Sequence, residues 1–111
     1  MSRYTRQDLV FAPDPFNDGS NPRPWLVIAD DAMPFPGDFL GLACTRSSYP
    51  DNYEITAREF ESDHQPDQAT YCLPWLLATL KTEDFAFRKG TLTKRFTDEM
   101  AAEASTYVDL G

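Results

Sequence analysis

The sequence predicts a mainly β protein of the α+β class, a small twisted sheet or partly closed barrel with a C-terminal helix packed against it. Three observations carry this. The apolar residues come in short runs bounded by Pro, Gly, Asn or Asp, the punctuation of strands and turns. Only the last stretch, around Thr97 and beyond, repeats its apolar residues at helical spacing. And 111 residues can fill one hydrophobic core but not two, so residues 1–111 are expected to form a single domain.

Asp8 to Ala12 reads as a first strand. The segment from Pro13 to Pro22 holds three prolines, Gly19, two Asn and two Asp, and is a loop. After Pro24 the run Trp25-Leu26-Val27-Ile28-Ala29 is continuously apolar and too short for a stable helix, which suits a strand covered on both faces. Met33 to Asp38 contains Pro34, Pro36 and Gly37, so it turns, and Phe39 to Thr45 is the third strand. Arg46 to Asp51 is a polar turn, Tyr53 to Ile55 a short strand, and Thr56 to Gln68 an acidic loop with room for one helical turn.

Pro74 lies inside the apolar stretch Ala69 to Lys81 and cannot donate to a ladder, which predicts a strand to Leu73, a bend, and a second extended or helical piece carrying Leu76, Leu77 and Leu80. Phe85-Ala86-Phe87 alternates like an edge strand, Lys89-Gly90 reads as a turn, and Thr91 to Thr93 as another short strand. Thr97 is the expected helix N-cap, followed by Asp98 and Glu99 near the positive end of the dipole. Phe96, Met100, Ala104, Tyr107 and Val108 form the apolar stripe of a helix from Asp98 to about Asp109.

Ten basic against eighteen acidic residues give a net charge of −8, the wrong sign for binding nucleic acid through bulk electrostatics, so any phosphate-binding surface must be local. The acids are twelve Asp to six Glu and the bases seven Arg to three Lys, scattered along the chain. That balance suits a salt-adapted protein, in which molar salt shortens the Debye length to about 3 Å and screens self-repulsion; the alternative is an ordinary acidic surface. No apolar run approaches the roughly 20 residues of a membrane span, and the first residues lack the apolar stretch of a signal peptide. A soluble, cytoplasmic protein is expected.

Chemical motifs are sparse when residue types are taken singly. Cys44 and Cys72 sit in apolar runs, where a thiol packs as a small core residue without a cation to stabilise thiolate. One histidine and no Cys-x-x-Cys leave too few soft ligands for zinc, so no metal and no cofactor is expected. His64, among Glu61, Asp63 and Asp67, reads as a solvated histidine before it reads as a general base. By default Arg23 is a solvated cation at a strand start and Thr45 a β-branched strand former.

Order and spacing say more. Gln7-Asp8-Leu9-Val10 opens the first strand; a Gly-containing loop leads to Arg23-Pro24-Trp25-Leu26-Val27-Ile28; and twenty-two residues after Arg23 a strand ends in Ala43-Cys44-Thr45-Arg46. This series resembles the MazF/PemK family of toxin ribonucleases, whose members open with Gly-Asp-[Ile/Val]-Val and continue through Arg-Pro-x-x-Val-[Ile/Leu] to a strand ending apolar-x-Thr-[Ser/Thr]. The likeness extends to the strand at Thr70 to Leu73, the Ala78-Thr79-Leu80 segment and the Leu92-Thr93 piece before the helix.

The resemblance implies an SH3-like, partly closed barrel. It also implies a homodimeric, metal-independent endoribonuclease that cuts single-stranded messenger RNA by 2′-hydroxyl attack and is held inactive by a cognate antitoxin. Carried onto this chain, it makes Arg23 the cation that stabilises charge on phosphorus, with proton donation to the leaving oxygen a further candidate role. Thr45 then binds the phosphate or orients the 2′-hydroxyl, and the general base is unassigned. Asn17, Asp18, Arg46, Ser47 and Ser48 are the expected RNA contacts, with Trp75 as a stacking residue.

Two departures bear on this. The opening glycine is Gln7, which costs little if that position has negative φ. Where many relatives carry acidic-Gln-x-Arg-Thr, this chain has Pro74-Trp75-Leu76-Leu77-Ala78-Thr79, without the second arginine or the acid. A MazF-like RNA- or protein-binding module that has lost cleavage is therefore the rival reading, and a structural protein without a dedicated site a third.

Overall fold

The computed structural model describes residues 4–15, 22–30, 33–61 and 68–109. Six strands form one antiparallel sheet: β1 (Asp8–Ala12), β2 (Arg23–Ala29), β3 (Asp38–Thr45), β4 (Tyr53–Glu54), β5 (Tyr71–Lys81) and β6 (Phe87–Thr91), in the spatial order β4-β5-β3-β2-β1-β6. A single helix, α1 (Lys94–Asp109), follows β6 and packs across β5 and β2.

The apolar runs of β1, β2 and β3 bury both faces. Leu9, Leu26, Leu42, Cys44 and Cys72 pack with Phe96, Met100 and Ala104 beneath α1. Their strand neighbours Val10, Trp25, Val27 and Ala43 turn to the opposite face and join Phe39, Leu73 and Leu80. Among the described residues no second α-helix covers that face; the sheet curls over it as a half-barrel, and the Tyr4 and Phe39 rings flank Phe85 at 4.8 and 5.3 Å. Register shifts at Leu9/Val10, Val27/Ala29 and Leu42/Cys44 supply the extra twist that curling needs.

The structure departs from the sequence reading at several places. The ladder is interrupted at Pro74 as expected, but β5 is one strand that continues through it from Tyr71 to Lys81. Leu42 pairs with Leu77 and Cys44 with Cys72, so Ala43 alone spans what Leu73 to Leu76 fill on β5. The proline's missing donor is accommodated in that irregularity, and the strand resumes beyond it.

Lys89-Gly90 is not a turn either. Leu9 pairs with Gly90 and Val10 with Arg88, which leaves Lys89 as the extra residue of a bulge within a continuous β6. Gly90 is required there by space, because a Cβ would lie 2.8 Å from the Phe60 ring.

The helix begins one turn earlier than expected. Thr93, not Thr97, is the N-cap: its hydroxyl accepts from the Phe96 N–H at 3.2 Å, while Thr97 is fully buried and donates back to the Thr93 carbonyl at 2.9 Å. Asp98 consequently lies in the second turn, where Lys94, then Arg6, hold its carboxyl below the usual carboxylate range. Thr93→Ala should cost about 1 kcal/mol in chemical denaturation, the usual loss for an N-cap hydroxyl.

Gln7 has a φ of +88°, so its position is one that favours glycine. The left-handed conformation costs a non-glycine residue about 1 kcal/mol, offset by two side-chain bonds from Nε2, to the Leu92 carbonyl at 2.8 Å and Glu61 Oε1 at 2.9 Å. The amide of Gln7 thus ties the start of β1 to the segment that joins β6 to α1.

Candidate active site

Arg23 opens β2 and Thr45 closes β3, and the two strands are antiparallel neighbours. Extending the Trp25↔Ala43 pairing by two residues puts Arg23 opposite Thr45. Both lie two residues from members of the same cluster, so they share a sheet face. The strand geometry alone therefore brings together two residues twenty-two apart in sequence.

Both line one cavity of about 260 Å³ at the end of the sheet. Arg46, immediately after β3, and Lys89, from the bulge of β6, line it too. Thr70 and Phe11 complete its polar and aromatic wall. Three of the ten basic residues of a protein with net charge −8 thus converge on one small space. A larger cavity, about 560 Å³, lies at the opposite end of β2 and β3, where Asp30 and Asp38 are among the described lining residues and no basic residue is.

The Arg23 guanidinium is held from behind. Its Nε lies 3.4 Å from Oδ2 of Asp14, whose side chain is only 4% exposed, whereas that of Arg23 is 29% exposed. Asp14 follows β1 between two prolines, Pro13 and Pro15, and reaches the start of β2 because β1 and β2 pair there through Ala12 and Arg23. A guanidinium anchored through Nε keeps its terminal nitrogens for a second anion. The Thr45 hydroxyl accepts from the Ser47 N–H at 3.4 Å.

Ser47 and Ser48 are exposed in the turn after β3, where the Ser47 carbonyl accepts from Asn52 Nδ2 at 3.0 Å; neither lines the cavity. Trp75 stands apart from it, its ring edge-on to Tyr107 of α1 at 5.9 Å. Asn17, Asp18 and His64 lie outside the described residues. Sequence reasoning missed Lys89 and Asp14. No local pattern pointed to either, since Lys89 sits at a bulge that interrupts the alternation of β6 and Asp14 lies in a loop.

Cys44 borders the cavity and is the cross-strand partner of Cys72. The Cys72 thiol is pushed well above its usual range by its hydrogen bond with Cys44 and then by burial, so it stays neutral and is no nucleophile at physiological pH. Among the described residues no group of three or more His, Cys, Asp or Glu could hold a metal ion. Among them, too, no helix is long and apolar enough to cross a membrane.

By sequence, the chain matches no protein-family model and no curated protein. By structure it is similar to an endoribonuclease solved in complex with its cognate antitoxin from a mycobacterial species, with a TM-score of 0.65 and 17% identity over 96% of this chain and 93% of that one. It is also similar to the Mycobacterium tuberculosis toxin MazF-mt6, with a TM-score of 0.63 and 15% identity over 87% and 90%. A curled six-stranded antiparallel sheet closed by a C-terminal helix, matched over nearly the whole length of such proteins, gives this chain the MazF/PemK-like fold.

Proposed function

We propose that the chain is a toxin-type endoribonuclease that cuts single-stranded messenger RNA at a short sequence without a metal, working as a homodimer of one-domain subunits under the control of a cognate antitoxin. The observation that carries this reading is the convergence of Arg23, Arg46 and Lys89 with Thr45 on one cavity of an otherwise acidic protein. Its support from outside the chain is the fold shared with an endoribonuclease bound to its antitoxin.

The chemistry follows from the residue types. Attack of the 2′-oxygen on the adjacent phosphorus breaks the P–O5′ bond and leaves a 2′,3′-cyclic phosphate and a 5′-hydroxyl, the 2′-hydroxyl giving up its proton and the departing 5′-oxygen taking one up. The attack concentrates negative charge on the non-bridging oxygens. A planar guanidinium already held by Asp14 meets that charge with two parallel N–H bonds and little reorganisation. Thr45, next to Arg23 on the same face, orients the 2′-hydroxyl or donates to the phosphate. Arg46, with Ser47 and Ser48 beyond it, takes the flanking backbone.

Single-turnover cleavage of a long unstructured RNA at high salt tests this. The expected products carry cyclic phosphate and 5′-hydroxyl ends, EDTA leaves the rate unchanged, and DNA of the same sequence is not cut because it lacks the nucleophile. A rate abolished by EDTA and restored by a divalent cation, or cleavage of the DNA, overturns the reading.

A further inference from the structure

Phe11 and Phe87 are cross-strand partners on β1 and β6, and their rings stack at 5.2 Å with an interplanar angle of 27°. Neither belongs to the two core clusters. Phe87 is half exposed, at 50%, on the edge strand of the sheet. Scattered exposed apolar residues are ordinary on a surface; this one is stacked on a ring that lines the candidate cavity. Lys89, two residues along on the same face, lines that cavity as well and holds its Nζ 5.7 Å from the centre of the Phe11 ring. Arg88 between them is turned away, its Nε 3.1 Å from Asp8 and its guanidinium over Tyr4.

A half-exposed aromatic ring next to a cation, continuous with a cation-lined cavity, is the pairing that single-stranded nucleic acid uses: a base stacks on the ring while its phosphate meets the charge. We propose that the β1–β6 edge is a nucleotide subsite, in which Phe87 stacks the base of a nucleotide beside the scissile phosphate and Lys89 binds that nucleotide's phosphate. The subsite rests on the ribonuclease reading for its substrate. It assigns to Phe87 the stacking role that the sequence suggests for Trp75, and to Lys89 a second fixed cation in a chain without the second arginine of many relatives.

The probe is a random-sequence single strand substituted throughout with 2′-O-methyl groups, which lacks the nucleophile and so reports binding alone. Phe87→Ala should weaken binding about tenfold, the usual size of one lost base–aromatic stack. Lys89→Ala should reduce the slope of log affinity against log salt by about 0.7, one phosphate contact to a single strand. Phe87→Trp should bind like the parent, and its added fluorescence should be quenched by the probe, whereas the parent, with Trp25 and Trp75 alone, should show little quenching. Because Phe87 is outside both cores, melting temperatures should stay close to the parent's and separate binding from misfolding.

A parent that cleaves RNA, with Phe87→Ala and Lys89→Ala binding and cleaving equally well, removes the subsite and leaves the ribonuclease reading intact. Quenching in the parent but no further quenching in Phe87→Trp moves the stacking to Trp75 and also removes it. A parent that neither binds nor cuts any single strand removes both. A parent that binds without cutting, and loses binding in Phe87→Ala, keeps the subsite and removes the chemistry.

Discussion

Arg23→Ala should slow single-turnover RNA cleavage on the order of a hundredfold or more, the loss seen when one fixed donor to a developing oxyanion is removed. The guanidinium is pre-placed, anchored through Nε to a nearly buried carboxylate, on a residue that the extended β2–β3 register puts opposite Thr45. Arg23→Lys should recover only part of the rate, because an ammonium keeps the charge without the planar two-point contact. Thr45→Ala should be milder than Arg23→Ala. Removing Arg23 also takes a counter-charge from Asp14, so the alanine variant should lose stability, and rates belong at a temperature well below its melting point. A full-rate Arg23→Ala enzyme would place the chemistry elsewhere.

Trp25→Ala should be the most damaging substitution for the fold. Trp25 is fully buried at the centre of the cluster inside the curl, between Val10 and Ala43 on the flanking strands. Emptying that space should cost about 3–5 kcal/mol, a large share of the roughly 5–15 kcal/mol that holds a domain together. Its Nε1 is buried without a hydrogen-bond partner among the described residues, which already subtracts from what the ring contributes. Trp25→Phe removes that orphan donor along with part of the ring and should cost clearly less than alanine. Chemical denaturation of the three proteins checks the order, and equal midpoints for Trp25→Ala and the parent would contradict the packing described.

The parts legible in the sequence are those set by local pattern. The runs of β1, β2 and β3 are short and apolar and read as strands, that of β2 as one covered on both faces, and so they are. The stripe through Met100 and Ala104 could only be an amphipathic helix. Where the reading departed, a distant partner decided. Pro74 remains in a strand because β3 runs alongside it, and Lys89-Gly90 remains extended because β1 and Phe60 constrain it. Thr93 caps the helix in place of Thr97, which went inside.

The candidate site divides in the same way. Arg23 and Thr45 were visible as motif positions at strand ends. Asp14 and Lys89 were not, because one comes from a loop and the other through pairing between residues 8–11 and 87–91, a separation no local pattern reports. The positive φ of Gln7 showed only through the glycine that the resembled family carries at that position, since the glutamine itself gives no hint of it.

The pairing of β6 with β1 also sets when the cavity acquires its Lys89 wall. Phe11 meets Phe87, and Val10 meets Arg88, so this outer ladder joins residues 8–11 to residues 87–91. Ribosomes add about 5–20 residues per second, which puts several seconds between the synthesis of one partner and of the other. Throughout that interval the outer edge of β1 is an open template for another strand, and the cavity lacks the wall that carries Lys89. A nascent chain stalled before β6 therefore carries Arg23 and Thr45 without the wall that Lys89 gives their cavity.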